Sequence, residues 1–126
     1  MANNDITVLS SCGTAVCAGD ITLVDSLAWS SGKGLTLNAT GSVYLNAAIN
    51  STGAATTQGG AFSAIAGTGN IQVNANITTA GGAATSIGLA GGSVTLNSTS
   101  GAVTFNNAAI VNTGGSAAAS SGAAGG

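Results

Sequence analysis

The chain has 126 residues, and only 3% of them are charged, against about 25% in a typical soluble protein. Its only cation is Lys33 and its only carboxylates are Asp5, Asp20 and Asp25; there is no histidine, arginine, glutamate or proline. A single lysine cannot form a phosphate-binding patch, which argues against nucleic acid as a partner, and 44% hydrophobic residues with so little charge argue against a disordered chain.

The N-terminal MANNDITVLSS has neither a basic n-region nor an apolar h-region, so export would depend on a signal outside this sequence. Within it, Ile6 and Val8 form the first aliphatic-x-aliphatic pair. Cys12 and Cys17 follow, enclosing Gly-Thr-Ala-Val. In an exported protein they are a disulfide candidate; the alternative is two thiols packed as small apolar residues. Without histidine or further cysteine they cannot complete a zinc shell.

The pairs then continue as Ile21/Leu23, Leu35/Leu37, Val43/Leu45, Ile71/Val73, Ile87/Leu89, Val94/Leu96 and Val103/Phe105. Short period-two alternation bounded by Gly, Asn and Ser is the signal of a β-strand, and no stretch carries helical spacing with caps. An apolar residue recurs six positions after the first member of many pairs, as in Ile6 to Cys12, Ile21 to Leu27, Val43 to Ile49, Ile71 to Ile77 and Val103 to Ala109. That offset fits a short strand, a bend, and the start of another strand. Gly114 to Gly126 carry no large apolar residue and read as a flexible tail or an incomplete terminal coil.

A repeat underlies this order. Residues 35–49 read LTLNATGSVYLNAAI and residues 94–110 read VTLNSTSGAVTFNNAAI, with the second half of the unit preserved at 65–77. Taking Ile21, Val43, Ile71 and Val103 as equivalent gives steps of 22, 28 and 32 residues. The longer steps imply inserted loops around 54–61 and 81–93. A three-sided β-helix coil needs about 20 or more residues, so the repeat predicts an all-β solenoid over residues 1–113, with no significant helix and roughly four to five coils. A Greek-key sandwich is the alternative fold, but it would not require one unit to recur.

In a solenoid, Ile21, Leu23, Leu35, Leu37, Val43, Leu45, Ile49, Ile71, Val73, Ile77, Val94, Leu96, Val103 and Phe105 stack in the interior, while the threonines between them face outward. Asn38, Asn46, Asn74, Asn97 and Asn106 each follow the second aliphatic of a pair. They serve either as turn-formers or as amide ladders between stacked coils; the pattern is compatible with both.

Residues 19–53, GDITLVDSLAWSSGKGLTLNATGSVYLNAAINSTG, resemble the repeat region of filamentous haemagglutinin-like exoproteins of the two-partner secretion type. The likeness lies in an ordered series: Gly19–Leu23, the Trp29–Ser30 corner, Leu35–Leu37, and Val43–Ile49 running into Thr-Gly. Across most of residues 3–115 it implies a right-handed parallel β-helix, secretion to the bacterial cell surface through an outer-membrane partner, and a role in adhesion to a host or neighbouring cell. The Cys12–Cys17 pair is not part of that family pattern.

The remaining chemistry is sparse. Asp20 and Asp25 are the one carboxylate pair to weigh as a glycosidase-like dyad, yet both are simple bend residues beside Gly19 and Ser26. No Ser-His-Asp or Cys-His arrangement is possible without histidine. Three dispersed aspartates do not make a calcium site, so no cofactor, metal or catalytic residue is expected. No apolar run reaches the ~20 residues of a membrane-spanning helix. Trp29 and Tyr44 read as corner and surface packing, with sugar stacking as the functional alternative. An ice-binding threonine face is disfavoured because Tyr44 and Gln72 interrupt the column. The expected function is a structural shaft segment, non-enzymatic; the alternative is a homopolymer whose coil ends stack head to tail.

Overall fold

The computed structural model describes residues 4–11, 19–83, 87–117 and 122–126. Among them there are twelve β-strands and no helix. They are β1 (Ile6–Ser10), β2 (Ile21–Leu23), β3 (Leu27–Ala28), β4 (Leu35–Ala39), β5 (Val43–Leu45), β6 (Ile49–Asn50), β7 (Phe62–Ala66), β8 (Ile71–Val73), β9 (Ile77–Thr78), β10 (Val94–Ser98), β11 (Val103–Phe105) and β12 (Val111–Asn112).

The strands form three four-stranded parallel sheets, in the orders β1-β4-β7-β10, β2-β5-β8-β11 and β3-β6-β9-β12. Each sheet takes every third strand, so the chain winds as a three-sided β-solenoid. We call the sheets A, B and C, and each successive trio of strands a rung. Four rungs give about three turns from first to last, slightly fewer than the expected four to five coils. The difference has a physical source. Ile87 and Leu89 do not form a strand pair: Ile87 makes only an isolated bridge and is exposed, and the segment belongs to a loop. Residues 114–117 and 122–126 likewise carry no strand. Every strand pairing among the described residues is parallel, which excludes the antiparallel Greek-key sandwich.

The register follows the repeat. Ile21 pairs with Val43, Val43 with Ile71, and Ile71 with Val103, so the steps of 22, 28 and 32 residues in the sequence are the steps of the solenoid. Sheet A shows the alternation most plainly: β4 and β7 both read buried, half-buried, buried, half-buried, buried. Period-two side-chain direction sends Leu35, Leu37 and Ala39 inward, with Phe62, Ala64 and Ala66 stacked on them. β7 was not anticipated by the pairs, because two of its three inward positions are alanine. A large Phe62 beside two small alanines fills the same space that two leucines fill one rung below.

One offset fails in the last rung. Ile77 pairs with Val111, eight residues after Val103, and Ala109 lies only partly buried in the corner before β12. The cause is a two-residue insertion at Asn107 and Ala108, whose φ angles are 55° and 52°. The Ala109 N–H donates to the Asn106 carbonyl across them, and positive φ at both central positions marks a type I′ turn.

Candidate functional site

The side chains predicted to stack do so unevenly. Val43, Leu45, Ile49, Ile71, Val73 and Ile77, in the two middle rungs, are buried, as are Leu35 and Leu37. Ile21 and Leu23 in the first rung, and Val94 and Leu96 in the last, are partly buried against that core. Val103 and Phe105 are 38% and 49% exposed. The motif is the same; only the middle rungs have a neighbour on both sides.

The asparagines divide by position. At the corner between sheets B and C, Asn106 Nδ2 donates to Asn74 Oδ1 (2.8 Å) and Asn74 Nδ2 to Asn46 Oδ1 (2.6 Å), a continuous amide ladder over three rungs. Asn38 and Asn97 are neither turn nor ladder residues. They lie inside β4 and β10, with Ile65 of β7 between them. The sheet A strands run five residues instead of three, so the position after the second aliphatic is still strand.

A second column, at the corner between sheets A and B, is built from mixed residue types. Asp20 Oδ1 accepts from the Ser42 N–H (2.7 Å), Ser42 Oγ from the Asn70 N–H (3.2 Å), and Asn70 Oδ1 from the Ala102 N–H (2.9 Å). Backbone bonds run the opposite way: the Ile21, Val43 and Ile71 N–H groups donate to the carbonyls of Ser42, Asn70 and Ala102. Each rung therefore gives a backbone proton to the next and takes one back on a side-chain oxygen. Asp20 is thereby committed to backbone support, and Asp25 sits beyond the far end of β2. The first position of this column tolerates any oxygen acceptor, which hid it from a search for one residue type.

The third corner, from sheet C back to sheet A, holds the insertions yet closes the same way each time. Trp29 Nε1 donates to the Lys33 carbonyl (2.7 Å), Ser51 Oγ to the Gly60 carbonyl (2.6 Å), and Thr79 Oγ1 to the Gly92 carbonyl. These donors lie one residue past β3, β6 and β9, and each acceptor lies two residues before the next sheet A strand. The bridged separations are 4, 9 and 13 residues. Loops of different length thus leave and return through one buried gate. At its return point the backbones stack so closely that a Cβ on Gly60 would lie 2.3 Å from the Lys33 carbonyl oxygen, and one on Gly92 would lie 2.4 Å from that of Gly60. Only glycine leaves room there. Reading GGAF and GGSV as equivalents of GKGL would have found this gate in the sequence. The described tail uses it too: the Gly126 N–H donates to the Thr113 carbonyl as Gly60 does to Ser51 and Gly92 to Thr79.

Aromatic and hydroxyl groups are spread over separate faces. Trp29 is buried with its indole N–H bonded, and Tyr44 faces out from the middle of β5, so the two do not converge. Sheet A presents an unbroken outward hydroxyl column of Thr7, Thr36, Ser63 and Thr95; in sheet B, Tyr44 and Gln72 interrupt Thr22 and Thr104. Among the described residues no group of three or more acidic, cysteine or histidine side chains is placed to hold a metal ion. No helix there is long and apolar enough to cross a membrane. The Cys12–Cys17 candidate lies outside the described residues.

Among the described residues, all the exposed large apolar side chains except Ile87 lie in the first and fourth rungs. At the fourth rung an open depression of about 460 Å³ is lined by Val94, Leu96, Val103, Phe105 and Val111. At the first rung one of about 330 Å³ is lined by Ile6, Leu27, Ala28, Trp29 and Leu35. No family model, curated protein or solved structure matches this chain.

Proposed function

We propose that this chain is a structural shaft unit of a secreted, filamentous adhesin-like exoprotein, without a catalytic role. The observation that carries this reading is how the polar groups are used. Asp20, Ser42, Asn70, Asn74, Ser51 and Thr79 are all bonded between or within rungs, along one uninterrupted apolar core. Such a chain resists bending and extension and leaves little chemistry for turnover. The likeness of residues 19–53 to filamentous haemagglutinin-like repeats supports the cellular setting: export through an outer-membrane partner, and a surface facing a host or neighbouring cell. Polysaccharide degradation is the activity to test against, by assaying a panel of polysaccharides for released reducing ends. No release is expected; release that disappears in Asp20→Asn would overturn the reading.

A second reading, favoured by the apolar exposure at both ends, is a fibre subunit that polymerises by stacking rung on rung. Negative-stain microscopy of the purified chain at neutral pH separates the two. Isolated short rods favour the shaft segment, and uniform filaments favour the subunit.

A further inference from the structure

We infer that a second copy of this chain seats its first rung on the fourth rung of the copy before it, in the register Ile6 on Val94, Ile21 on Val103 and Leu27 on Val111; this rests on the fibre-subunit reading. Three observations carry the register. The first is continuity with the packing inside the molecule. Among the described residues, β1, β2 and β3 each have one strand neighbour, as do β10, β11 and β12, so both end rungs present an edge without a strand partner in all three sheets. Within the stack, N–H groups at strand starts donate to the carbonyls of the following rung, so the Val103 N–H would meet the Asp20 carbonyl of the incoming copy. The second is pattern. Ile-Thr-Val-Leu-Ser of β1 over Val-Thr-Leu-Asn-Ser of β10 sets the inward Ile6 and Val8 on Val94 and Leu96, Thr7 on Thr95 and Ser10 on Ser98, with the outward Leu9 on Asn97. Ile-Thr-Leu of β2 over Val-Thr-Phe of β11 sets Ile21 on Val103, Thr22 on Thr104 and Leu23 on Phe105. A shift by one residue would point every inward side chain to water.

The third observation is charge. Asp5, Asp20 and Asp25 all belong to the first rung, whereas residues 94–113 carry no charged side chain. Two first rungs brought face to face would crowd like charges at the contact, which is destabilising. A first rung on a fourth rung instead sets these carboxylates over strands without charged side chains. Because the contact is heterologous and does not close on itself, it generates a filament.

The junction differs from an internal rung step at one corner. The column of Asp20, Ser42 and Asn70 ends at Ala102, which has no oxygen to accept the Asp20 N–H of the next copy. Ala102→Asn restores that acceptor, and its critical concentration for filament formation should fall about three- to tenfold, the effect of one hydrogen bond.

The decisive experiment uses outward positions that face each other only across the junction. Thr22→Lys/Thr104→Lys and Thr22→Glu/Thr104→Glu are prepared as two separate chains and checked for folding by circular dichroism. At low ionic strength, where surface charges are least screened, each alone is expected to remain as short rods, and an equimolar mixture to form filaments. Microscopy and sedimentation read the result. Filaments of wild-type protein that persist unchanged in both folded variants, or a mixture that fails to recover them, would overturn the register while leaving the fibre reading intact. Wild-type protein that stays as single rods, or as closed pairs, at all concentrations would overturn the fibre reading itself. The Ala102→Asn variant supplies an independent arm should either charged chain fail to fold: an unchanged critical concentration counts against the register.

Discussion

Val73 and Phe105 hold equivalent places one rung apart, paired in register in sheet B. Val73 is completely buried, while Phe105, the larger and more apolar of the two, is 49% exposed. Nothing in the local sequence accounts for this, since each is the second aliphatic of a pair followed by asparagine. The contrast between middle and end rungs therefore separates what a repeat unit contributes from what its neighbours contribute. A middle rung has its apolar face sealed above and below and its corner oxygens engaged. An end rung has the same groups and half the partners. In a solenoid, burial is a property of place in the stack, because each rung contacts only the rungs next to it.

The largest effect expected from that contrast is at the paired positions themselves. Val73→Asp puts an unpartnered carboxylate into the sealed interior and should cost more than about 4 kcal/mol, enough to unfold a domain of ordinary stability. Phe105→Asp, open to water, should cost well under half as much. Urea denaturation followed by far-ultraviolet circular dichroism measures both, and equal losses would show that the end rung is sealed in solution.

Next comes the gate at the third corner. Thr79→Val keeps the shape and removes the hydroxyl that bonds the Gly92 carbonyl in the buried interior. The orphaned carbonyl should cost about 1–3 kcal/mol, whereas Thr104→Val on the exposed face of β11 should stay within about 0.5 kcal/mol. The midpoint of thermal unfolding compares the two directly.

A smaller difference should separate the two kinds of asparagine. Asn74→Ala breaks the amide ladder in its middle and removes two bonds, to Asn46 and Asn106, at a partly exposed corner. About 1 kcal/mol is expected there, against a change within about 0.5 kcal/mol for Asn38→Ala on the outer face of β4. A double-mutant comparison with Asn106→Ala should show that the two ladder losses do not add.

The last and smallest effect runs in the opposite direction. Ala108 holds a left-handed φ of 52° in the type I′ turn of the last rung, a conformation that costs a residue with a Cβ about 1–2 kcal/mol. Ala108→Gly should raise stability by up to about 1 kcal/mol, the relief being partly offset by the greater freedom of glycine in the unfolded chain. A fall in the urea midpoint would count against the turn geometry.

How far the molecule was legible from its residues depended on whether a feature repeats in kind. The aliphatic pairs repeat in kind, and Ile21, Val43, Ile71 and Val103 align in the sequence because an interior packed by like on like tolerates little else. β7 carries no aliphatic pair, because Phe62 with Ala64 and Ala66 fills the interior by a different division of volume. The column of Asp20, Ser42 and Asn70 shares no residue type for a related reason: its requirement is an oxygen at one point in space, and three residue types meet it. The gate of Trp29, Ser51 and Thr79 has no common spacing, since its bonds join residues 4, 9 and 13 apart, and only the return motifs GKGL, GGAF and GGSV mark it in the sequence.

By itself, then, the sequence determined that this chain is a stack of β-coils, with period-two aliphatics inside and with corners rich in glycine and asparagine. Strand alternation is a local property, and it survives in every rung whatever lies above it. Only the tertiary structure decided which of those aliphatics are sealed, which asparagines form a ladder, and how loops of different length return to a common gate. These depend on the backbone of the neighbouring rung, some 22 to 34 residues away along the chain, and on whether such a rung is present at all.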